Sequence, residues 1–442
     1  MRRRDILETI GVSAVATGAG CMGSTSSESP SVAWRYDAPD IQAIDGDETQ
    51  TVIATEREIV GLDRANGEVA WRHRVGSITG LERDESGYYG HGDGGVVAID
   101  RSSGAKRWQV DERYTSLHRA ESALVCYDFD DRKTVGFDPE TGDRLWTWDG
   151  GAVDAYTATF GIVTDEEYRG VDLNDGTTEW RFRAGQGSLV EAVADENIVL
   201  SIPDDSSGEF LALVDGGTEQ WRFEAPAVRS WDCGVIDGTV YAATKTETEP
   251  RRLHAIDFES GRERWSTELD SEFDISEVEP VAAVDEAVLV STPWTTGNLT
   301  GWKQRLPTTA WIDRSTGTVD WTESGRGVVT TTSELIVLAH GDGTFVGRRP
   351  DGTVAWEDGL SVTVQSKSHS ADEFVYAPLE VLALEDAFVA ASAGSNRVEK
   401  WDSNTGTQRW ALSLEAAIDT LLEVDGDVYA LAEGAIAAIR TD

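Results

Sequence analysis

The sequence is short of lysine, cysteine and histidine, and each shortage removes a class of function. Only six of the 38 basic residues are lysine, against 80 acidic residues, and the net charge of −42 leaves no basic surface for nucleic acid. Of three cysteines, Cys126 and Cys233 lie far apart and outside any metal or haem spacing; a disulfide between them is an option that the spacing does not favour. No Cys-Cys pair and no Cys-x-x-Cys-His occurs. The six histidines are scattered, which argues against a histidine-built metal site. No Ser-His-Asp arrangement and no phosphate-cradling glycine loop stands out. Helix-length apolar periodicity is also missing: apolar runs are short, β-branched, alternating and cut by glycine, which excludes a helical repeat.

What is present begins with an address. Arg2, Arg3 and Arg4 precede Asp5-Ile6-Leu7 and an apolar, small-residue stretch from Ile10 to Ala19, too short for a bilayer core about 30 Å thick. Arg3-Arg4-Asp5-Ile6-Leu7 resembles a twin-arginine export signal. Gly18-Ala19-Gly20-Cys21 resembles a lipoprotein cleavage box with Cys21 as the lipidated residue, although Gly18 departs from the usual leucine-like residue. Residues 1–20 are thus expected to be a signal. Residues 21–31, rich in Ser, Thr and Gly, form a flexible tether to the outer face of the cytoplasmic membrane.

The charge has its own reading. At molar salt the Debye length shrinks to about 3 Å and screens self-repulsion. The composition resembles that of proteins from extreme halophiles, so acidity reports the solvent. Acidic clusters such as Asp128-Phe129-Asp130-Asp131 and residues 204–209 are then read as solvated loops, with no metal site assigned.

Self-similarity decides the fold. Seven times the chain places Gly four residues after Asp and Trp four after Gly, ending at Trp71, Trp108, Trp146, Trp180, Trp265, Trp321 and Trp410. Shortened copies run from Asp215 to Trp221 and from Arg349 to Trp356. The Asp bonds its own turn, Gly supplies the positive φ of a short loop, and Trp opens the next strand. Two further strand-like runs precede each motif, as in Val235-Ile236-Asp237-Gly238-Thr239-Val240-Tyr241-Ala242, giving four strands per unit. The predicted fold is all-β, a closed β-propeller of four-stranded antiparallel blades over residues 32–442. A WD40 propeller places Trp-Asp at a strand end, whereas Trp trails Asp by eight residues here. Trp34-Arg35-Tyr36 matches an outermost strand without its predecessors, and Ala435-Ile436-Ala437-Ala438-Ile439 matches the strand before a motif that never arrives. The two are expected to pair and close the ring.

The Asp-x-x-x-Gly-x-x-x-Trp hairpin preceded by Ala or Gly, as in Ala98-Ile99-Asp100 and Ala255-Ile256-Asp257, resembles the repeat of the PQQ-like (quinoprotein alcohol dehydrogenase-like) propellers, which include outer-membrane assembly lipoproteins. The resemblance covers residues 32 to 442. It implies eight blades, whereas ten sheets are counted, so either the ring is large or a degenerate unit is an embellishment. The family's enzymes use a quinone (PQQ), a catalytic Asp, a calcium or similar ion and often adjacent cysteines. With no cysteine pair, the expectation is a non-catalytic, monomeric scaffold without cofactor. A quinone-dependent dehydrogenase is the alternative.

Loop length points to a face. With strands lettered A to D outward from the axis, C–D is the constant Asp-to-Trp turn. The B–C and D–A connections lie on the other face, and three lengthen there: Pro293 to Thr309, Thr246 to Arg252 and Leu360 to Leu379. The first holds Trp294, Trp302, Lys303 and Arg305, an aromatic and basic group that makes it the candidate site for a protein, small-molecule or glycan ligand. It also holds the sequon Asn298-Leu299-Thr300. The repeat tryptophans are assigned to packing between blades.

The charge reading is testable by melting. Lowering salt from molar to about 0.1 M lengthens the Debye length from about 3 to about 10 Å and is expected to lower the melting temperature. Equal melting temperatures at both salts would remove the halophilic reading.

Overall fold

The computed structural model describes residues 30–441, apart from 129, 150–152, 156–158, 165–166, 185–187, 195–196, 204–208, 225–229, 246–249, 270–278, 285–286, 293–307, 333, 364, 368–373 and 377–378. Among the described residues there is strand and turn but no helix, so none is long and apolar enough to cross a membrane. Ten four-stranded antiparallel sheets follow one another as blades of one ring. In chain order they span residues 41–74, 80–110, 116–149, 153–182, 189–224, 230–268, 279–324, 326–359 and 379–413. The tenth combines residues 420–441 with the N-terminal strand Pro30–Asp37. All ten counted sheets are therefore blades, and the eight-bladed alternative is set aside. Cys126 and Cys233 are free thiols.

Each blade is a meander whose second and third strands are nearly all buried, as in Gln50–Thr55 and Glu58–Asp63 of blade 1. Their β-branched and small side chains fill the space between neighbouring blades. One such cluster joins Tyr241, Leu253 and Trp265 of blade 6 to Val288, Val290 and Ile312 of blade 7. The outermost strands alternate exposed and covered residues, as in Val69–Arg74.

The motif turn explains its own residues. In blade 1 the Asp63 Oδ1 accepts the backbone N–H groups of Ala65 (2.9 Å) and Asn66 (3.1 Å), while Gly67 N–H donates to Asp63 O at 2.8 Å. Hydrogen bonds from Ser103 and Ser102 hold the equivalent Asp100 carboxyl at about 2. The outer strand starts two residues ahead of the tryptophan in most blades, earlier than the sequence suggests. A bulge lets Val69 pair Leu62 while Trp71 pairs Gly61.

The tryptophan then leaves its own blade. A β-carbon on Gly104 of blade 2 would lie 2.0 Å from Trp71 Cδ1 of blade 1, and one on Gly317 of blade 7 would lie 2.6 Å from Trp265 Cδ2 of blade 6. The same indole contact recurs at Gly67, Gly142, Gly176, Gly261, Gly352 and Gly406, and Gly217 meets the β-carbon of Trp180, so nine of the ten joints set a tryptophan against the next blade's turn glycine. At several joints the indole N–H donates to the carbonyl of the residue after the next blade's turn Asp: Trp34 to Arg64 (2.9 Å), Trp108 to Pro139 (3.0 Å), Trp221 to Phe258 (2.7 Å) and Trp265 to Arg314 (2.7 Å). The other side of the ring rests on the blade's own third strand. A β-carbon at Gly61, Gly136 or Gly170 would lie 2.1 to 2.2 Å from an indole carbon of Trp71, Trp146 or Trp180. This is why Ala or Gly precedes the motif.

The closing pair is Pro30–Asp37 against Ala435–Thr441, with Pro30 opposite Thr441 and Asp37 opposite Ala435. Arg64 of blade 1 locks the seam through Asp427 (2.6 Å) and Asp425 (2.8 Å), and Thr51 meets Tyr429 at 2.8 Å in the interior.

Each innermost strand carries at least one charged residue, and burial raises the Asp45 and Glu82 carboxyls of two neighbouring blades. Burial pushes the Glu82 carboxyl of blade 2 up to about 7, with the neighbouring Asp45 adding to the effect and Arg119 opposing it.

Two predictions follow from this packing. Trp265→Ala is expected to cost about 3–5 kcal/mol, the range for a buried aromatic. Gly317→Ala, forced to keep φ near 75°, is expected to cost more than about 1 kcal/mol. Because the two residues touch, denaturant unfolding of the double variant should show a loss smaller than the sum, whereas strict additivity would deny the contact. Separately, Glu82 is protonated more readily folded than unfolded, so it opposes stability above its folded pKa and ceases to do so as pH falls toward its unfolded value. Glu82→Gln should therefore stabilise the protein more at pH 8 than at pH 5. A pH-independent difference would contradict the burial of that carboxyl.

Candidate binding face

A four-stranded meander puts its A–B and C–D turns on one side of the ring and its B–C and D–A connections on the other. On the first side, the hairpin face, no described link exceeds six residues. The C–D turns there are occupied in holding the preceding blade's tryptophan, which leaves them little freedom in length or backbone. On the second side, the connection face, the links range from residue 325 alone between blades 7 and 8 to residues 360–378 between blades 8 and 9.

The long connections come from adjacent blades. Residues 292–307 belong to blade 7 and 360–378 join blades 8 and 9, whereas the 246–251 link of blade 6 has six residues, no more than the longest turn of the hairpin face. The link between Glu268 and Glu279, from blade 6 to blade 7, is a third that length alone could have flagged. It carries no motif and hides in an acidic stretch. The long links therefore occupy one sector of one face.

Each leaves the ring through a closed neck. In blade 7, Thr292 N–H donates to Thr308 O at 3.0 Å, Thr308 N–H to Thr292 Oγ1 at 2.8 Å, and Ser291 Oγ meets Thr309 Oγ1 at 3.1 Å, all four residues being buried. The short hydroxyl side chains complete the ladder at the strand ends, so sequence between them can change without opening the blade. In blade 6, Arg252 N–H donates to Thr244 Oγ1 at 3.2 Å. Beside it the buried Arg251 reaches Asp232 of the innermost strand at 2.7 Å, and Leu269 N–H donates to Arg251 O at 2.9 Å, tying the two links together.

The third connection is fixed by charge. Glu399 of blade 9 is 1% exposed and accepts from Ser361 N–H (3.2 Å), Ser361 Oγ, Arg397 Nε (2.9 Å) and Gln408 Nε2 (2.7 Å). A carboxylate taken out of water needs such donors, and here they pin the start of the link. The link carries a two-stranded hairpin of its own, Gln365–Lys367 with Phe374–Tyr376.

Trp294, Trp302, Lys303 and Arg305, with Asn298, lie outside the described residues, as does Cys21; only the neck that carries the first five is in view. The repeat tryptophans Trp71, Trp108, Trp146, Trp180, Trp265, Trp321 and Trp410 lie on outermost strands, and the first six pack beneath a following turn. Of the acidic clusters, the one at Asp128 is a B–C turn whose Asp128 Oδ1 accepts Asp130 N–H at 3.0 Å and whose Asp130 pairs with Arg113 at 2.6 Å. Among the described residues no three His, Cys, Asp or Glu are grouped to hold a metal ion.

Comparison with known proteins agrees with this architecture. The sequence matches the family model of outer membrane protein assembly factor BamB over residues 11–149, 92–214 and 207–442. No curated protein matches the chain. Among solved structures, one titled as the eukaryotic initiation factor shares the fold at 11% identity, with 83% of this chain and 96% of that chain covered at a TM-score of 0.54. BamB from Moraxella catarrhalis is similar at 16% identity, covering 93% and 98% of the two chains, with a TM-score of 0.44. A quinohemoprotein alcohol dehydrogenase from Pseudomonas putida HK5 is similar at 12% identity, covering 93% and 76%, with a TM-score of 0.39. Since the family match runs through every blade, the chain belongs to the BamB family of PQQ-like β-propellers.

Proposed function

We propose that this protein is an exported, lipid-anchored scaffold that holds a protein, small-molecule or glycan ligand on its connection face and catalyses no reaction. The observation that carries this reading is the asymmetry between the faces. Short turns fill one, with its C–D turns gripping tryptophans, while the other gathers three links longer than any of them in neighbouring blades, each on a hydrogen-bonded or ion-paired base. Membership of a family described as an assembly factor supports a role in contact rather than chemistry. Trp294, Trp302, Lys303 and Arg305 supply the side-chain types that most often carry interface energy. The sequence has no adjacent cysteines, which favours the scaffold over a quinone-dependent dehydrogenase, the alternative reading.

The test uses one blade as its own control. A photo-crosslinking residue is placed at Pro250, exposed on the connection face of blade 6, or at Glu259, exposed on its hairpin face. Irradiation of native membranes in molar salt is expected to give a discrete adduct from Pro250 that is lost when residues 294–306 are replaced by a short Gly-Ser turn. The shortened protein should melt with the parent, because the Thr292–Thr308 neck remains. An adduct from Glu259 alone would move the binding surface to the other face.

A further inference from the structure

The ring seam determines how an anchored propeller stands on its membrane. We infer that the hairpin face looks toward the bilayer and the connection face is presented away from it, an inference that rests on reading Cys21 as the lipid-bearing residue. The first observation is register. Trp34 pairs Ala438 and Val32 pairs Ile439, with the bulge between them that Trp71 and Val69 make against Gly61 and Leu62 in blade 1. The tenth outer strand is thus built like the others, except that its C–D turn is cut. Counting back from the tryptophan, Pro30 stands where Gly67 stands in blade 1, and counting forward from Ala438, Thr441 stands where Arg64 stands. The chain therefore enters the ring where a tenth hairpin would be. The opposite end of the same strand lies on the connection face, where Ala38 N–H donates to Gly434 O at 2.9 Å.

The second observation is reach. Residues 22–29 separate Cys21 from Pro30, and even fully extended that tether spans at most about 30 Å. Pro30–Asp37 has eight residues, a length of about 25 Å. To seat the connection face on the bilayer, the tether would have to run back along the whole strand and spend nearly all its reach. Leaving directly from the hairpin face requires no such detour. The turns beside the seam are acidic and ion-paired, with Asp425 and Asp427 on Arg64 and Asp47 on Arg101. They offer no apolar surface for insertion, so the lipid holds this face near the headgroups without burying it.

Three variants of the full chain, each with one added cysteine, test this in native membrane vesicles at molar salt, each labelled with a fluorophore and quenched by headgroup spin-labelled lipid. Asn66→Cys lies on the hairpin face beside the seam, Glu433→Cys on the connection face at the seam, and Glu259→Cys on the hairpin face across the ring; all three positions are exposed. Unsubstituted protein corrects for labelling of the buried Cys126 and the half-buried Cys233. The expected result is loss of fluorescence at positions 66 and 259 with little loss at 433. Stronger quenching at 433 than at 66 would overturn the orientation. Quenching at 66 and 433 without 259 would also overturn it, in favour of a ring standing on edge. The mass of the N-terminal peptide separates the underlying reading: an unmodified Cys21 removes the anchor and the orientation with it, whereas a lipidated Cys21 with the wrong quenching order removes the orientation alone.

Discussion

An indole ring under the next blade's turn glycine is the contact on which the rest of the ring depends. It requires a positive φ, which the turn glycines adopt at 65° to 80°, and it requires empty space where a β-carbon would be. It also requires a small residue opposite the tryptophan within its own blade, which Gly61, Ala98, Gly136, Gly170, Ala255 and Gly347 provide. Three requirements from one ring explain why the motif is so regular in a chain otherwise free to drift. Where the small residue is lost, the joint adapts. Trp311 faces Trp321 in blade 7, and the two rings stack with centroids 6.1 Å apart.

This constraint divides the molecule. A turn that must grip a tryptophan has little freedom to grow, so variation moves to the side where strands are joined without that duty. The hydroxyl necks at Thr292–Thr308 and Thr244–Arg252 show how variation is insulated there. Hydrogen bonds finish the blade before the link begins. Recognition on such a face can change without disturbing the stacking of blades.

Much of the fold is legible in sequence because the motif is local. Asp, Gly and Trp stand within nine residues, and each has a turn or strand role visible without knowing the rest of the chain. The partner of the tryptophan is less legible. The Gly beside it in sequence grips a different tryptophan, so that Gly104 meets Trp71 and never Trp108. Long-range pairing of identical motifs cannot be assigned by spacing, since every motif is an equally good match. The connection face was readable from strand counting, but not the link from Glu268 to Glu279, whose acidic residues look like any solvated turn. Glu399 was equally silent: a glutamate in an acidic sequence gives no sign that it is buried beneath Ser361 and Arg397.

The seam has a consequence for synthesis. Among the described residues Pro30–Asp37 is made first and its partner Ala435–Thr441 last, so the ring stays open until residue 441 has been made. Closing so long a loop carries an entropic cost that grows only logarithmically with length, and here both faces of the joint are already shaped by their neighbours. A product that stops short of residue 435 has no partner for its first strand and keeps an unpaired edge on blade 1's neighbour. Completion of the ring thereby separates chains that include residues 435–441 from those that stop before them: only the former hide that edge, and the latter remain open to proteases and to pairing with one another.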